Sequence, residues 1–313
     1  MTAKVLLERK ANVKNVWVII NKVRGVSLDK YLVKSPMNYI GGKYKLLNQI
    51  LPLFPKDISM FYDVFGGGGS LSLNVNSDFV YYNDIVCYVS NMFEAIKGEN
   101  EEDCLCKIKT IIEKYQLNKT NREGFEDLRK YYNEGNKSWD IFYTLMCYSF
   151  NNQFRFNNKH EYNSSFGKHK SCFSIATENK FRNFVKRLNE IDISFGCDDF
   201  REIDYSDADE NDLVYFDPPY LISCGNYNDG KRGFKGWSKQ DDLDLMNLCD
   251  NLDKQGTRFA MSNVLEHKGL KNEKLIEWSK KYNVYKINHN YNNCNYQENN
   301  KLHKTIEVLI TNY

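Results

Sequence analysis

Several features that would settle the class of this 313-residue chain at once are missing from it. No succession of positive charge, apolar stretch and small residues opens it. The longest apolar run of its N-terminal segment, Val16 to Ile20, falls far short of the roughly 20 residues that a membrane span needs. A soluble, cytoplasmic protein with no membrane partner is therefore expected. The closest cysteines of the nine, Cys104 and Cys106, have no second pair at metal-ligand spacing, so reduced thiols and no metal are expected. The Gly-Lys-Ser/Thr phosphate loop is absent. So are internal repeats and low-complexity tracts, apart from a general richness in asparagine.

A large net charge is also lacking. The formal value is +2, which by itself does not point to nucleic acid, but the charge is unevenly placed. Met1 to Lys56 carries 11 Lys/Arg against 2 Asp/Glu, and Gln153 to Arg187 carries 8 against 2. Asp198 to Asp217 holds 9 acidic residues and a single Arg201. A basic surface opposite an acidic one is one reading of this segregation; solvated faces of unrelated elements are the other.

The length and 42% hydrophobic content allow one large core with a smaller inserted or appended module. Residues 1–34 alternate basic and apolar positions, include the strand-like Val16–Ile20, and end at the Ser35-Pro36 break. Lys45 to Leu53 has helical spacing. Phe61 to Phe65 reads as a buried strand, followed by four glycines, an expected helix from Ser70-Leu71-Ser72-Leu73, and a second strand from Phe79 to Asp84. That unit marks an open parallel sheet. Residues 88–150 have helical spacing, and Asn151 to Ser174 turns polar, basic and aromatic like a binding loop or hairpin. Strand patterns return at Ile193–Phe195, Leu213–Phe216, Phe259–Met261, Val284–Ile287 and Ile306–Ile310.

Glycines directly after a strand let backbone approach a ligand, and Gly66 to Gly69 fit that role. The dinucleotide fingerprint is incomplete, because its third glycine position is Leu71. Asp84, at the tip of the next strand, can accept the hydroxyls of a ribose, so the pair points to an adenosine-containing cofactor without a pyrophosphate. The sharpest signal is Asp217-Pro218-Pro219-Tyr220 at the end of a four-residue apolar strand. Consecutive prolines lack N–H donors and stiffen the exit from the sheet, which holds acceptors in place. An amine on an aromatic ring is a poor nucleophile because its lone pair is delocalised. Donating its two N–H bonds to the Asp217 carboxylate and the Pro218 carbonyl would free that lone pair, while Tyr220 stacks on the ring.

With these motifs the chain, from about Pro36 to Tyr313, resembles the Dam-like (D12 class, alpha-type) family of adenine-N6 DNA methyltransferases. The likeness rests on Tyr39-Ile40-Gly41-Gly42-Lys43, on Phe65 to Gly69, on Asp217 to Tyr220 and on the closing Lys304 to Ile310, in the alpha-type order. It implies an α/β fold: a Rossmann-like S-adenosylmethionine-dependent methyltransferase sheet (35–90 and 191–313) with a mainly helical target-recognition insertion (91–190) and an appended segment (1–34). It implies that S-adenosylmethionine is held by Tyr39, Lys43, Asp63, Phe65, Gly66, Gly67, Gly68, Gly69, Ser70, Asp84, Asp199, Phe200 and Asp217. Asp217, Pro218, Pro219 and Tyr220 are the expected catalytic residues.

The family's recognition hairpin is matched by Asn151 to Asn157 and His160 to Lys168, with Arg155 retained and Asn152, His160 and Ser165 departing from the pattern. Asn152, Gln153, Arg155, Asn157, Lys168, Lys231 and Arg232 are the expected contacts to double-stranded DNA, and GATC is the expected site. The basic, glycine-hinged Asn228 to Trp237 is expected to close over a base flipped from the duplex. A cognate restriction endonuclease is a candidate partner, a monomer or weak dimer the expected state, and the nucleoid the expected location. Two alternatives stay open: a methyltransferase acting on RNA or protein glutamine, whose families carry Asn at the place of Asp217, and a DNA-binding module that has lost catalysis.

Overall fold

The computed structural model describes residues 32–222, 236–288 and 305–313. The chain divides into two units, Met1–Leu32 and Val33–Tyr313, and the described elements belong to the second. The strand-like Val16–Ile20 lies outside the described residues.

Short apolar runs bounded by turns become the strands. β1 (Met60–Asp63), β2 (Phe79–Asn83), β3 (Ile193–Gly196) and β4 (Leu213–Phe216) are followed by β5 (Arg258–His267), β6 (Leu270–Lys271), β7 (Asn283–Ile287) and β8 (Thr305–Thr311). Every residue of β4 is buried, as expected for a parallel strand covered on both faces. Its residues alternate between the two faces. Val214 and Phe216 pack with Leu245, Cys249 and Phe259, while Tyr215 stacks on Phe61 and meets Phe54.

The strand order is β3-β2-β1-β4-β5-β8-β7, with β6 attached to β5. β3, β2, β1, β4 and β5 run parallel; β8 and β7 add antiparallel to the β5 edge. This is the mostly parallel, Rossmann-like sheet expected from the sequence. The order reverses between β1 and β4, which places the mouth of such a fold at their carboxyl ends.

The helices are α1 (Leu47–Ile50, flanked by 3-10 turns), α2 (Cys87–Ile96), α3 (Glu101–Lys114), α4 (Arg122–Asn133), α5 (Trp139–Tyr148), α6 (Ile175–Glu190), α7 (Lys239–Gln255) and α8 (Glu273–Ser279). Short polar side chains open several of them. Asn100, Asn121, Ser174 and Asn272 each accept a first-turn N–H, and Ser238 and Asp241 form a reciprocal capping box. Residues of α2 to α6 build a mixed aliphatic and aromatic core around Phe93, Phe125, Phe142, Phe181 and Phe184. Among the described residues no helix is long and apolar enough to cross a membrane.

Two expectations are corrected. Ser70–Leu73 forms turns and no helix. Local polar side chains compete for its backbone: Ser72 N–H donates to Asp63 Oδ2, and the Asn74 amide donates to the Ser70 carbonyl. The cysteines are not all free, since Cys87 and Cys197 form a disulfide. Parallel pairing of β2 with β3 brings the first residue of α2, Cys87, beside Cys197 just past the end of β3, with the two Cα atoms 5.1 Å apart.

Candidate active site

Strand register assembles the site. Asp63 of β1 pairs with Tyr82 of β2 on one side and with Tyr215 of β4 on the other. Asp84 and Asp217 each stand two residues beyond those partners, so three carboxylates from distant parts of the chain reach one edge of the sheet.

The glycine turn is shaped by what surrounds it. A Cβ on Gly66 would lie 2.3 Å from the Tyr82 ring, and Gly67 has φ +51°, so neither position tolerates a side chain without rearrangement. Tyr82 Oη donates to the Gly67 carbonyl at 2.7 Å. Asp84 is part of the same construction: its Oδ2 accepts Gly67 N–H and its Oδ1 accepts Val86 N–H, both at 2.8 Å. Tyr39 Oη adds a 3.5 Å contact. Burial pushes the Asp84 carboxyl up to about 6 against the pull of those bonds. Asp63 is buried deeper, bonded to Ser72 N–H at 3.1 Å and Ser72 Oγ–H at 2.5 Å, and burial pushes its carboxyl up to about 7. Ser70 is buried beside them.

Next to the turn stand three aromatic rings. Phe65 meets Phe200 at 5.7 Å and Trp237 at 5.6 Å, and Phe200 and Trp237 are 5.7 Å apart. Trp237 Nε1 is anchored on Asp242 Oδ1 at 2.7 Å. Trp237, the last residue of the segment expected to close over the target base, packs its ring on Phe65 at the start of the glycine turn and on Phe200. Asp199 pairs with Arg201, whose guanidinium covers the Phe200 ring and also reaches Asp241 and Asp244. Lys231 and Arg232, with Asn228 to Lys235, lie outside the described residues.

The Asp217 carboxylate is held at both oxygens. Lys43 Nζ, nearly buried, donates to Oδ2 at 2.7 Å, and Tyr220 Oη donates to Oδ1 at 2.9 Å. The same hydroxyl lies 3.1 Å from Glu307 Oε1 on β8. Thus Tyr39 and Lys43, four residues apart, touch the two outer carboxylates, Asp84 and Asp217. Pro218 is buried and Pro219 exposed.

The expected recognition residues separate into two groups. Asn152 Nδ2 donates to the Cys147 carbonyl at the end of α5, and Asn157 ties the hairpin tip through Lys159 N–H, Glu161 N–H and the Glu161 carboxylate. These two build the hairpin. Arg155 and Lys168 are exposed and Gln153 partly so. Arg155 Nε donates to Asn163 Oδ1 at 3.0 Å, which orients the guanidinium and leaves donors over. The hairpin is joined to the 38–39 segment through Asn38 Nδ2, which donates to the Asn151 carbonyl, and through Tyr39 beside Phe154.

Sequence reasoning overlooked Ser72, the packing of Trp237 on Phe65, and Glu307. A signal for Glu307 existed: an ionisable residue inside Ile306-Glu307-Val308-Leu309-Ile310 must be buried if that run is a strand.

A family model for the D12 class N6 adenine-specific DNA methyltransferases matches residues 39–293. A type II methyltransferase named M.FokI from Planomicrobium okeanokoites is 49% identical over 281 residues, covering 90% of this chain and 43% of the relative. The modification methylase StsI of Streptococcus sanguinis is 45% identical over 296 residues, covering 94% and 45%. A DNA adenine methylase of Haemophilus influenzae is 28% identical over 190 residues, covering 59% and 63%. The chain thus spans less than half the length of the first two relatives.

Proposed function

We infer the activity from one premise: this chain belongs to the D12 class N6 adenine-specific DNA methyltransferase family. It transfers a methyl group to the exocyclic N6 of adenine in double-stranded DNA. The observation that carries this reading is the Asp217 carboxylate, fixed at the exit of β4 by Lys43 and Tyr220, beside the Asp63 and Asp84 edge.

The donor set at that edge fits S-adenosylmethionine. Asp84 keeps lone-pair capacity beyond its two backbone bonds for a ribose hydroxyl. Phe65 and Trp237, backed by the Arg201-covered Phe200 ring, offer aromatic surface to a purine, and the Asp63 carboxyl is matched to a cationic amino-acid end. When bound, S-adenosylmethionine supplies an electrophilic methyl group on a sulfonium.

The remaining work is done by this chain. Adenine N6 is inaccessible inside the stack, so the base must leave the duplex, at a cost of a few kcal/mol. The exposed cations of the hairpin hold the backbone while Arg155 reads a base edge. Asp217 and the Pro218 carbonyl accept the two N–H bonds of the amine and localise its lone pair. No covalent intermediate is needed. On this reading the work is done on DNA in the cytoplasm, and a cognate restriction endonuclease is the candidate partner.

The test is to incubate the protein with plasmid DNA and S-adenosylmethionine, quantify N6-methyladenine by nucleoside mass spectrometry, and map it by single-molecule sequencing. The map decides whether GATC or another sequence is the site. Asp217→Ala should abolish methylation while DNA binding persists. A variant rate within a factor of about 10 of wild type, a barrier change near 1.4 kcal/mol, would refute the role of Asp217.

A further inference from the structure

The Tyr220 hydroxyl sits between two carboxylates, 2.9 Å from Asp217 Oδ1 and 3.1 Å from Glu307 Oε1. A phenol carries one proton and donates once. When that proton faces one carboxylate, the other bonds the phenol oxygen only by carrying a proton of its own. The trio is therefore built to hold one additional proton that can reside at either end. Lys43 fixes the far oxygen of Asp217, which keeps Oδ1 turned toward Tyr220.

Glu307 is suited to be the terminus. Its side chain is 6% exposed, in a run of buried residues on β8. Burial raises its affinity for a proton and the Asp217 charge adds to this, while Lys43 at 4.0 Å and the Tyr220 hydroxyl oppose it. Among the described residues the ionisable groups facing it are Lys43, Asp217, Tyr220 and Tyr215.

Methylating a neutral amine with a cationic donor gives a neutral product only if one N–H proton leaves. We propose that Tyr220 and Glu307 carry that proton away from Asp217. The N–H bond breaks with its electron pair staying on N6, and Asp217 Oδ1 takes the proton. Asp217 then passes it to the Tyr220 oxygen as the phenol's own proton moves to Glu307 Oε1. Glu307 starts ionised and ends protonated, and it must be emptied before the next turnover. This inference rests on the methyl-transfer reading above.

The experiment compares wild type, Glu307→Gln and Tyr220→Phe in single-turnover methylation across pH. Glutamine keeps the shape of Glu307 and an acceptor for the phenol but takes up no proton; phenylalanine keeps the ring and removes the relaying hydroxyl. The wild-type rate should fall toward low pH with a midpoint above the ordinary glutamate range. Both variants should lose that acid limb and run at least about tenfold slower near neutrality, with cofactor and DNA binding by calorimetry unchanged. A second readout needs no turnover: in infrared difference spectra of the protein alone, Asp63 and Asp84 contribute titrating protonated-carboxyl bands in wild type and variant alike, and wild type should show one further titrating band that Glu307→Gln lacks. Retention of the acid limb and of the rate in Tyr220→Phe, or in a folded Glu307→Gln, overturns the relay. So does a Glu307→Gln spectrum that keeps every titrating carboxyl band of wild type. If wild type makes no N6-methyladenine, the methyl-transfer reading is what fails, and the further infrared band still decides whether Glu307 holds the proton.

Discussion

Replacing Asp63 with asparagine should make the protein more resistant to unfolding above neutral pH and leave the balance nearly unaltered near pH 4. Asp63 is 1% exposed, and burial lifts its carboxyl from 3.8 to about 7 despite two bonds from Ser72. Its folded pKa lies above its unfolded one, so between those values the folded state binds more protons and stability falls as pH rises. The contribution is complete below about pH 4 and gone above about pH 7. At 1.36 kcal/mol per pKa unit, a shift of about three units corresponds to about 4 kcal/mol.

Asparagine keeps an amide oxygen where Oδ2 accepts Ser72 N–H and Oγ–H, and it never ionises. Urea unfolding of both proteins at pH 5 and pH 8 gives a difference of differences. In it every other titrating group cancels, as does any pH-independent cost of burying the amide. Wild type should lose more stability than Asp63→Asn between these two pH values, by most of that 4 kcal/mol. Parallel losses in the two proteins would show that the Asp63 carboxyl does not carry an elevated pKa in the fold.

Asp84→Ala should weaken S-adenosylmethionine binding and also lower stability by about 1–3 kcal/mol, because the buried Gly67 N–H and the half-buried Val86 N–H lose their acceptor. The activity defect should shrink as cofactor is raised, and unchanged cofactor affinity by calorimetry would count against the ribose role. Arg155→Ala should narrow the gap between cognate and non-cognate duplexes by about 1–3 kcal/mol, as expected for loss of a bidentate base contact. An equal loss on every duplex, with the salt slope lower by about one, would identify a phosphate contact instead.

Much of this protein was legible locally. The runs at Phe61, Phe79, Ile193, Leu213, Phe259, Val284 and Ile306 all fall in strands, because a short apolar run between turns has few other ways to bury itself. The glycine turn and Asp217-Pro218-Pro219-Tyr220 could be placed on strand ends because glycine and proline restrict the backbone over one or two residues. The helix expected from Ser70 to Leu73 did not form, since the order of strand, glycines and apolar residues does not register that Ser72 and Asn74 find partners in Asp63 and Ser70.

By itself, then, the sequence determined the strand and turn chemistry, the position of each carboxylate on its strand, and the segregation of charge. All of these follow from residues close together along the chain. Only the tertiary structure decided that Lys43 meets Asp217 across 174 positions, that Glu307 shares the Tyr220 hydroxyl across 87, and that Trp237 packs on Phe65. Those contacts depend on strand order and register, with β1 between β2 and β4 and β8 against β5. Pairing of that kind is set by the burial of whole faces at once, and no short window of sequence encodes it.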